Sequence, residues 1–367
     1  MKQFIIMSEK KLKTSDFSVI DLFCGVGGLT HGFVKEKFKV DAGIDFDISC
    51  KYAFENNNSS KFYHEDITKL SGEELNEKFK KGKKKILIGC APCQPFSKYN
   101  SKSSINSKIK EDDKWKLLYS FSNLIDEVEP EIISMENVPQ LVKFDNGKVF
   151  NDFVSRLESK HYYVSWEIVN AQDFGVPQRR KRLVLLASKL GEIKLIDKTI
   201  KNNNYKTVRS AIGHLPKIED GSFCPNDILH RARKLTPINK RRIKATKEGG
   251  SWRDWDEDLK LACHKKESGK DFGSVYGRMK WDEVSPTMTT YCTGLSNGRF
   301  GHPEQDRAIS LREAAILQSF PETYKFIAPD KDFSVQALAR HIGNAVPVKL
   351  GIAIAKSIKN HINKFEK

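Results

Sequence analysis

Short β-rich runs alternate with helical patterns through the first half of this chain, and that alternation limits its fold more than any other feature. Strands are expected at 18–23, 40–46, 62–67, 85–89, 131–135, 162–169 and 182–187. Strands interleaved with helices are the signature of a parallel sheet covered on its faces. Ile86-Leu87-Ile88 and Ile132-Ile133 lack polar alternation, as strands buried on both faces do. Between those two strands, 98–116 is rich in Ser, Asn and Lys, and reads as a disordered segment or a functional loop such as a lid. After about residue 190 the pattern changes. As far as about 305, Gly and Pro are scattered among basic clusters such as Arg231-Ala232-Arg233-Lys234 and Lys240-Arg241-Arg242, without βα alternation. A second domain is expected there. Helical pattern returns at 310–319 and from 346 onward.

Charge narrows the partners. Of 367 residues, 63 are Lys or Arg and 47 are Asp or Glu, a formal charge of +16. Cationic side chains displace counterions condensed on phosphates, so a polyanionic partner is one reading. A basic surface that only confers solubility is the other. Seven cysteines without regular spacing argue against a disulfide framework and for a reducing compartment. No apolar stretch approaches the ~20 residues that cross a bilayer, and the N-terminus lacks a signal peptide's long apolar centre. A soluble, cytoplasmic protein is expected.

Asp21-Leu22-Phe23-Cys24-Gly25-Val26-Gly27-Gly28 places glycines where a strand ends and a helix begins. Glycine there permits positive φ and a close ligand approach, and the helix N-terminus offers free N–H groups. A dinucleotide pyrophosphate suits that geometry, and so does the carboxylate of a methionine moiety. Asp45, near the end of the second strand, suits ribose hydroxyls. Asp66, ending the third, suits an adenine amino group. The glycine spacing departs from G-x-G-x-x-G, which argues against NAD, and a tight turn with no ligand is the plain alternative.

Gly89-Cys90-Ala91-Pro92-Cys93-Gln94-Pro95-Phe96-Ser97 follows a buried strand directly, so Cys93 stands where open α/β sheets put their ligands. Cys90 and Cys93 form a C-x-x-C, which a redox pair or half a zinc site would also show. A zinc site needs two more ligands at matching spacing, and only Cys263-His264 stands adjacent, far along the chain. A buried structural cysteine is the plainest alternative, but prolines on both sides of Cys93 fix a loop. Glu136 ends the next expected strand, where a parallel neighbour would present it beside Cys93.

In this order the segments resemble the motifs of the DNA (cytosine-5) methyltransferase family, of the prokaryotic restriction–modification type. The likeness runs through 21–28, Ala91 to Ser97, Glu136-Asn137-Val138, Gln178-Arg179-Arg180-Lys181-Arg182, 307–321 (RAISLREAAILQSFP) and Gly343-Asn344-Ala345-Val346-Pro347. It spans about 18 to 355.

The resemblance implies an α/β fold of the S-adenosylmethionine-dependent methyltransferase kind, a Rossmann-like, mostly parallel, doubly wound sheet with a smaller, irregular target-recognition domain. Residues 1–189 plus 335–367 would form the catalytic and cofactor-binding domain, and 190–334 the recognition domain and hinge. Cys93 matches the family's nucleophile, which adds to C6 of a flipped cytosine and makes C5 nucleophilic. Glu136 would hydrogen-bond N3 and the exocyclic amine, Arg182 would hold O2, and Arg180 would help position thiolate and base.

The implied cofactor is S-adenosyl-L-methionine, with no metal. Phe23, Gly25, Gly27 and Gly28 match the methionine side of its pocket, Asp45 the ribose, and Phe46, Asp66 and Ile67 the adenine. Pro92, Asn344 and Val346 would complete it, which requires the last helix to fold back onto the N-terminal domain. The segment 98–116 matches a mobile active-site loop, although Asp113 is followed by Lys114 and Trp115 where many members have Asp-x-Arg. The implied partner is double-stranded DNA, which would associate the chain with the nucleoid. The chain would act as a monomer without a membrane, alongside a cognate restriction endonuclease acting independently.

Trp252, Arg253, Trp255, Tyr276, Arg278 and Thr287-Met288-Thr289-Thr290 are candidate groove contacts, each with a plainer reading as aromatic core or solvated charge. A tRNA cytosine-5 methyltransferase is the nearest rival, but its characteristic Cys-Phe-Thr is missing. Exocyclic-amine methyltransferases would carry Asp-Pro-Pro-Tyr or Ser-Pro-Pro-Tyr, which this chain lacks. An inactive DNA-binding homologue fits poorly with intact Cys93, Glu136, Arg180 and Arg182.

Overall fold

The aliphatic run of β1 (Phe17–Leu22) is buried at every position, as a strand covered on both faces must be. The computed structural model describes residues 12–92, 116–201, 204–269, 271–329 and 331–365. Cys93 and all but the last residue of the segment 98–116 lie outside them. β1 is flanked by β2 (Val40–Asp45), then β3 (Lys61–His64), on one side, and by β4 (Lys84–Gly89) and β5 (Ile132–Asn137) on the other. All five run parallel. β6 (Tyr163–Asn170) and β7 (Lys181–Ser188) complete the order β3-β2-β1-β4-β5-β7-β6, with β7 antiparallel to β5. The direction of winding reverses between β1 and β4, and open sheets of this kind bind ligands outside the strand ends at that reversal. The seven strands stand where the sequence places them, within one to three residues at each end. β3 stops at His64, so Asp66 lies on the turn beyond it.

The chain divides into two compact units. The first comprises Met1–Val169, Arg182–Asp197 and Gly351–Lys367; the second comprises Asn170–Lys181 and Lys198–Leu350. In the first, α1 (Gly28–Lys35), α2 (Lys51–Asn58), α3 (Gly72–Lys78), α4 (Lys116–Val128) and α5 (Lys148–Ser159) alternate with the strands. One core joins Leu22, Leu87, Ile133 and Leu185 of the sheet to Phe121 of α4 and Phe153 of α5. Those two rings stack with centroids 6.1 Å apart.

The second unit holds α6 (Val208–Ile212), the hairpin β8 (Phe223–Cys224) and β9 (Asp227–Arg231), α7 (Pro237–Lys244), α8 (Leu311–Leu317) and α9 (Val335–Asn344). Long irregular segments separate them. The last helix, α10 (Val348–Lys364), enters the first unit from Gly351 onward. No helix of the described residues is long and apolar enough to cross a membrane.

These boundaries differ from 1–189 plus 335–367 and 190–334 in three places, for reasons of hydrogen bonding. Residues 170–181 leave the sheet and bond within the second unit: Arg179 N–H donates to the Ser285 carbonyl (2.8 Å), and Gln178 Nε2 to that of Leu317 (3.1 Å). Residues 335–350 also join the second unit, since Gln318 of that unit donates to the Ile342 carbonyl (2.7 Å). Residues 190–197 join the first, where Ile196 N–H donates to Ser357 Oγ (2.9 Å). The helix α9 goes beyond the sequence reading, which has helical pattern only from 346. Its buried Leu338, Ala339 and Ile342 recur at helical spacing, and Ser334 caps it.

Candidate active site

At the end of β1 the backbone turns through Phe23 (φ 60°), Gly25 (φ 50°) and Gly27 (φ 85°). A bulky residue such as Phe23 adopts that region only when its surroundings enforce it. The restraints are visible. Cys24 N–H donates to the Ile44 carbonyl (3.2 Å), and Gly27 N–H to that of Cys24 (2.9 Å). Gly25 N–H donates to Asp45 Oδ2, and Asp47 N–H to Asp45 Oδ1, both at 2.8 Å. Asp45 thereby ties the β1 turn to the loop after β2. A Cβ on Gly25 would meet nothing within 4 Å, which leaves open space against the backbone. Gly27 then caps α1, whose first residue is Gly28.

Beside this turn Phe46 is 74% exposed. Ile67 is buried, and Glu65 N–H donates to the Asp45 carbonyl (3.3 Å), drawing the β3 exit toward β2. Thr68 donates its Oγ1–H and N–H to Asp66 Oδ1 (2.8 and 3.0 Å), which holds that carboxyl below its ordinary range. Open space at a glycine turn, a braced carboxylate and an exposed aromatic face fit a nucleoside with a polar tail. Within β1, Asp21 is buried and accepts from Thr30 Oγ1 (2.5 Å). Burial raises its pKa to about 7, with Thr30 opposing the shift.

The ends of β4 and β5 are neighbours, Gly89 pairing with Met135. Glu136, the next residue along β5, is buried. Its Oε1 lies 2.9 Å from Arg182 Nε, and its Oε2 accepts from Cys90 Sγ (2.8 Å). Asn137 Nδ2 donates to the Ala91 carbonyl (3.2 Å), while its Oδ1 accepts from Val138 N–H (2.8 Å). Pro92 is thus held at the mouth of β4 as the last described residue before Cys93. The clamp by Asn137 and the thiol of Cys90 escaped the sequence reading. Both lie within motifs already singled out, but nothing in their spacing shows which group each would meet.

Within the second unit, Arg180 is buried, its Nη1 donating to the Met288 carbonyl (2.8 Å) and its Nη2 to that of Gly343 (3.0 Å). These bonds tie the 288 segment to the end of α9, alongside the role toward thiolate and base that the resemblance implies for this arginine. A Cβ on Gly343 would stand 2.1 Å from the Thr289 carbonyl oxygen, so only glycine allows that approach. Asn344 ends α9 as an exposed residue, and Val346 is buried.

The groove-contact candidates mostly take the plainer reading. Trp252 and Trp255 are buried with His264, which stacks on Trp252 at 4.3 Å between centroids. Arg278 is buried too, and donates to the carbonyls of Thr246 (2.7 Å), Ile243 (2.8 Å) and His302 (2.9 Å). Tyr276 packs edge-on against Trp255 (5.4 Å), and Met288 is buried. Arg253 and Thr287 are exposed.

The family model for C-5 cytosine-specific DNA methylases matches residues 17–360. The type II methylase M.HgiDII of Herpetosiphon aurantiacus is 54% identical over 345 residues, covering 94% of this chain and 96% of that protein. The type II methyltransferase M1.HphI of Haemophilus parahaemolyticus is 29% identical over 356 residues, covering 96% and 89%. In three dimensions the chain is similar to a protein assigned as a DNA modification methyltransferase, encoded within a prophage of E. coli. That likeness has a TM-score of 0.71 at 23% identity and covers 95% of this chain and 99% of the other.

Proposed function

The chain belongs to the C-5 cytosine-specific DNA methylase family, and we propose that it transfers a methyl group from S-adenosylmethionine to C5 of a flipped cytosine in a specific duplex sequence. It is a DNA (cytosine-5)-methyltransferase of the type II restriction–modification kind. What carries the finer reading is Glu136: a buried carboxylate at a strand end, braced from two sides, one strand from the mouth of β4.

The cofactor supplies an electrophilic methyl on a sulfonium. Asp45, with its two backbone donors, is the carboxylate suited to ribose, and Phe46 offers a face to adenine. The open backbone at Gly25 and the amides opening α1 suit the amino-acid end.

Carbon 5 of cytosine is too electron-poor to attack that methyl unaided. Addition of the Cys93 thiolate to C6 forms a C–S bond and pushes the ring electrons toward C5. Glu136 hydrogen-bonds N3 and the exocyclic amine, offsetting charge that develops on addition. Arg182, whose Nε lies 2.9 Å from one oxygen of Glu136, holds O2 in this reading. After transfer, a base takes the C5 proton, the C5–C6 double bond re-forms and Cys93 leaves. The target cytosine must leave the stack first, at a cost of about a few kcal/mol. The irregular second unit is proposed to choose the sequence.

Bisulfite sequencing of DNA from cells expressing the protein tests this. Conversion-resistant cytosines in one sequence context are expected, and none with Cys93→Ser. Methylation that persists in Cys93→Ser would sink the mechanism. Modification of incubated tRNA but not of duplex DNA would give the activity to RNA instead.

A further inference from the structure

The second unit holds a cavity of about 240 Å³ to which no role has yet been given. Arg231, Arg233, Tyr291, Thr293, Asn297 and Gln336 line it, with apolar walls from α9. Among the described residues none of the lining side chains is acidic. Tyr291 is 49% exposed, and Arg233 and Gln336 are exposed, so the mouth faces solvent.

Arg231 ends β9, and its guanidinium carbon lies 4.9 Å from the ring centroid of Phe223 and 5.6 Å from that of Phe333. Two aromatic rings hold the planar fork in advance, so little freedom is lost when it bonds a ligand. Its Nε is buried and makes no hydrogen bond among the described residues. A buried donor in that state is costly until something accepts from it. Asn297 lies over Gly294, where an added Cβ would come within 2.5 Å of Nδ2.

The cavity is joined to Arg180. The segment carrying Tyr291 to Asn297 runs on from Met288, whose carbonyl accepts from Arg180 Nη1. The helix forming the opposite wall, α9, ends at Gly343 and Asn344, and the Gly343 carbonyl accepts from Arg180 Nη2. Whatever fills the cavity therefore touches the two elements that this arginine clamps.

Arginine, asparagine and glutamine are the side chains whose planar ends make paired hydrogen bonds to purine edges in the major groove. All three types line this cavity. A phosphate would need neither carboxamides nor apolar walls. We propose that the cavity is a sequence-reading site of the enzyme, in which Arg231 donates to O6 and N7 of a guanine in the recognised DNA. The carboxamides of Asn297 and Gln336 contact the neighbouring base pair. This rests on the proposed methylation of duplex DNA.

The wild-type target is first found by bisulfite sequencing; a wild type that methylates nothing defeats the methylation reading and is a separate failure. With a target in hand, wild type, Arg231→Lys and Gln336→Ala are assayed on duplexes in which each base pair of the target is changed in turn, at several salt concentrations. Arg231→Lys keeps the charge and loses the fork. It is expected to lower kcat/KM on the intact target by about ten- to hundredfold, with the same cofactor affinity and melting temperature. Replacing one particular G·C pair should then cost the wild type but not the variant. Gln336→Ala, at an exposed position, is expected to relax discrimination at an adjoining pair. An equal loss on every duplex, with a shallower salt dependence, would mean a phosphate contact and overturn the proposal. Unchanged discrimination in both variants would overturn it as well. If Arg231→Lys does not fold, Gln336→Ala decides alone.

Discussion

Asp21 shows how far position changes the chemistry of a residue. In the sequence it is one acid in a turn motif; in the fold it lies inside β1, accepts from Thr30 and has a pKa raised by burial to about 7. A carboxyl raised in the folded state contributes its full stability below the unfolded value of 3.8, and loses it as pH rises through about 7. Asp21→Asn is therefore expected to gain in melting temperature over the wild type between those values, with the gain level above about pH 7. A difference independent of pH would show that Asp21 does not titrate in this way. Glu136 differs in kind, because its role lies in what it presents. Glu136→Gln keeps the shape and removes the charge that Arg182 faces, and should lower kcat by about a hundredfold or more, read by labelled methyl transfer with cofactor affinity unchanged. Glu136 was legible as a candidate because it ends a recognisable run, whereas Asp21 entered only as the first letter of a turn motif. The neighbours of Glu136 were not legible: its contacts with Cys90 and Arg182 each join residues 46 apart, and no periodicity encodes them.

At the scale of elements, two junctions are decided by atoms that sequence patterns barely mark. The first joins α1 to α10. A Cβ on Gly32 would lie 2.4 Å from the carbonyl carbon of Gly351 and 2.6 Å from the nitrogen of Ile352, both backbone atoms that cannot turn aside. Gly32→Ala should destabilise the first unit by about 1–3 kcal/mol, seen as a lower urea midpoint. An unchanged midpoint would mean that the helices separate freely. The second junction is the start of α8. Ser310 and Glu313 form a capping box, and Arg307, fully buried, donates to Glu313 Oε2 (2.8 Å) and Oε1 (2.7 Å). Burial alone would raise the Glu313 pKa, but Arg307 outweighs it and holds the group at about 2. A depressed carboxylate stabilises fully above its unfolded value of 4.5 and loses that as pH falls through about 2. The stability lost in Glu313→Gln should hence be full at neutral pH and shrink below about pH 4.5, as thermal melts across that range would report. The serine-to-glutamate spacing announces the cap. The buried arginine six residues earlier announces nothing, because a basic residue in a sequence reads equally well as solvated.

For the whole molecule, the charge of +16 becomes a statement about binding once the family is known. Affinity for duplex DNA should fall at least about tenfold between roughly 50 and 200 mM salt, with a logarithmic slope near −0.9 per phosphate neutralised. Fluorescence anisotropy measures it, and a flat dependence would return the basic residues to mere solubility.

The sequence by itself determined the strands of the sheet, its mostly parallel character and the strand ends that carry the motif residues. Those rest on local patterns, with apolar runs fixing buried strands and glycines fixing turns. Order along the chain also sufficed to identify the family, since several short motifs in fixed succession seldom arise otherwise. Only the tertiary structure decided which partners many side chains take. Arg180 clamps two carbonyls, Arg278 and the tryptophans fill the second unit, and 170–181 pass to that unit through their hydrogen bonds. Burial and bonding depend on partners that lie far away in the chain, and an arginine or tryptophan has the same letter whether it meets a ligand or a core.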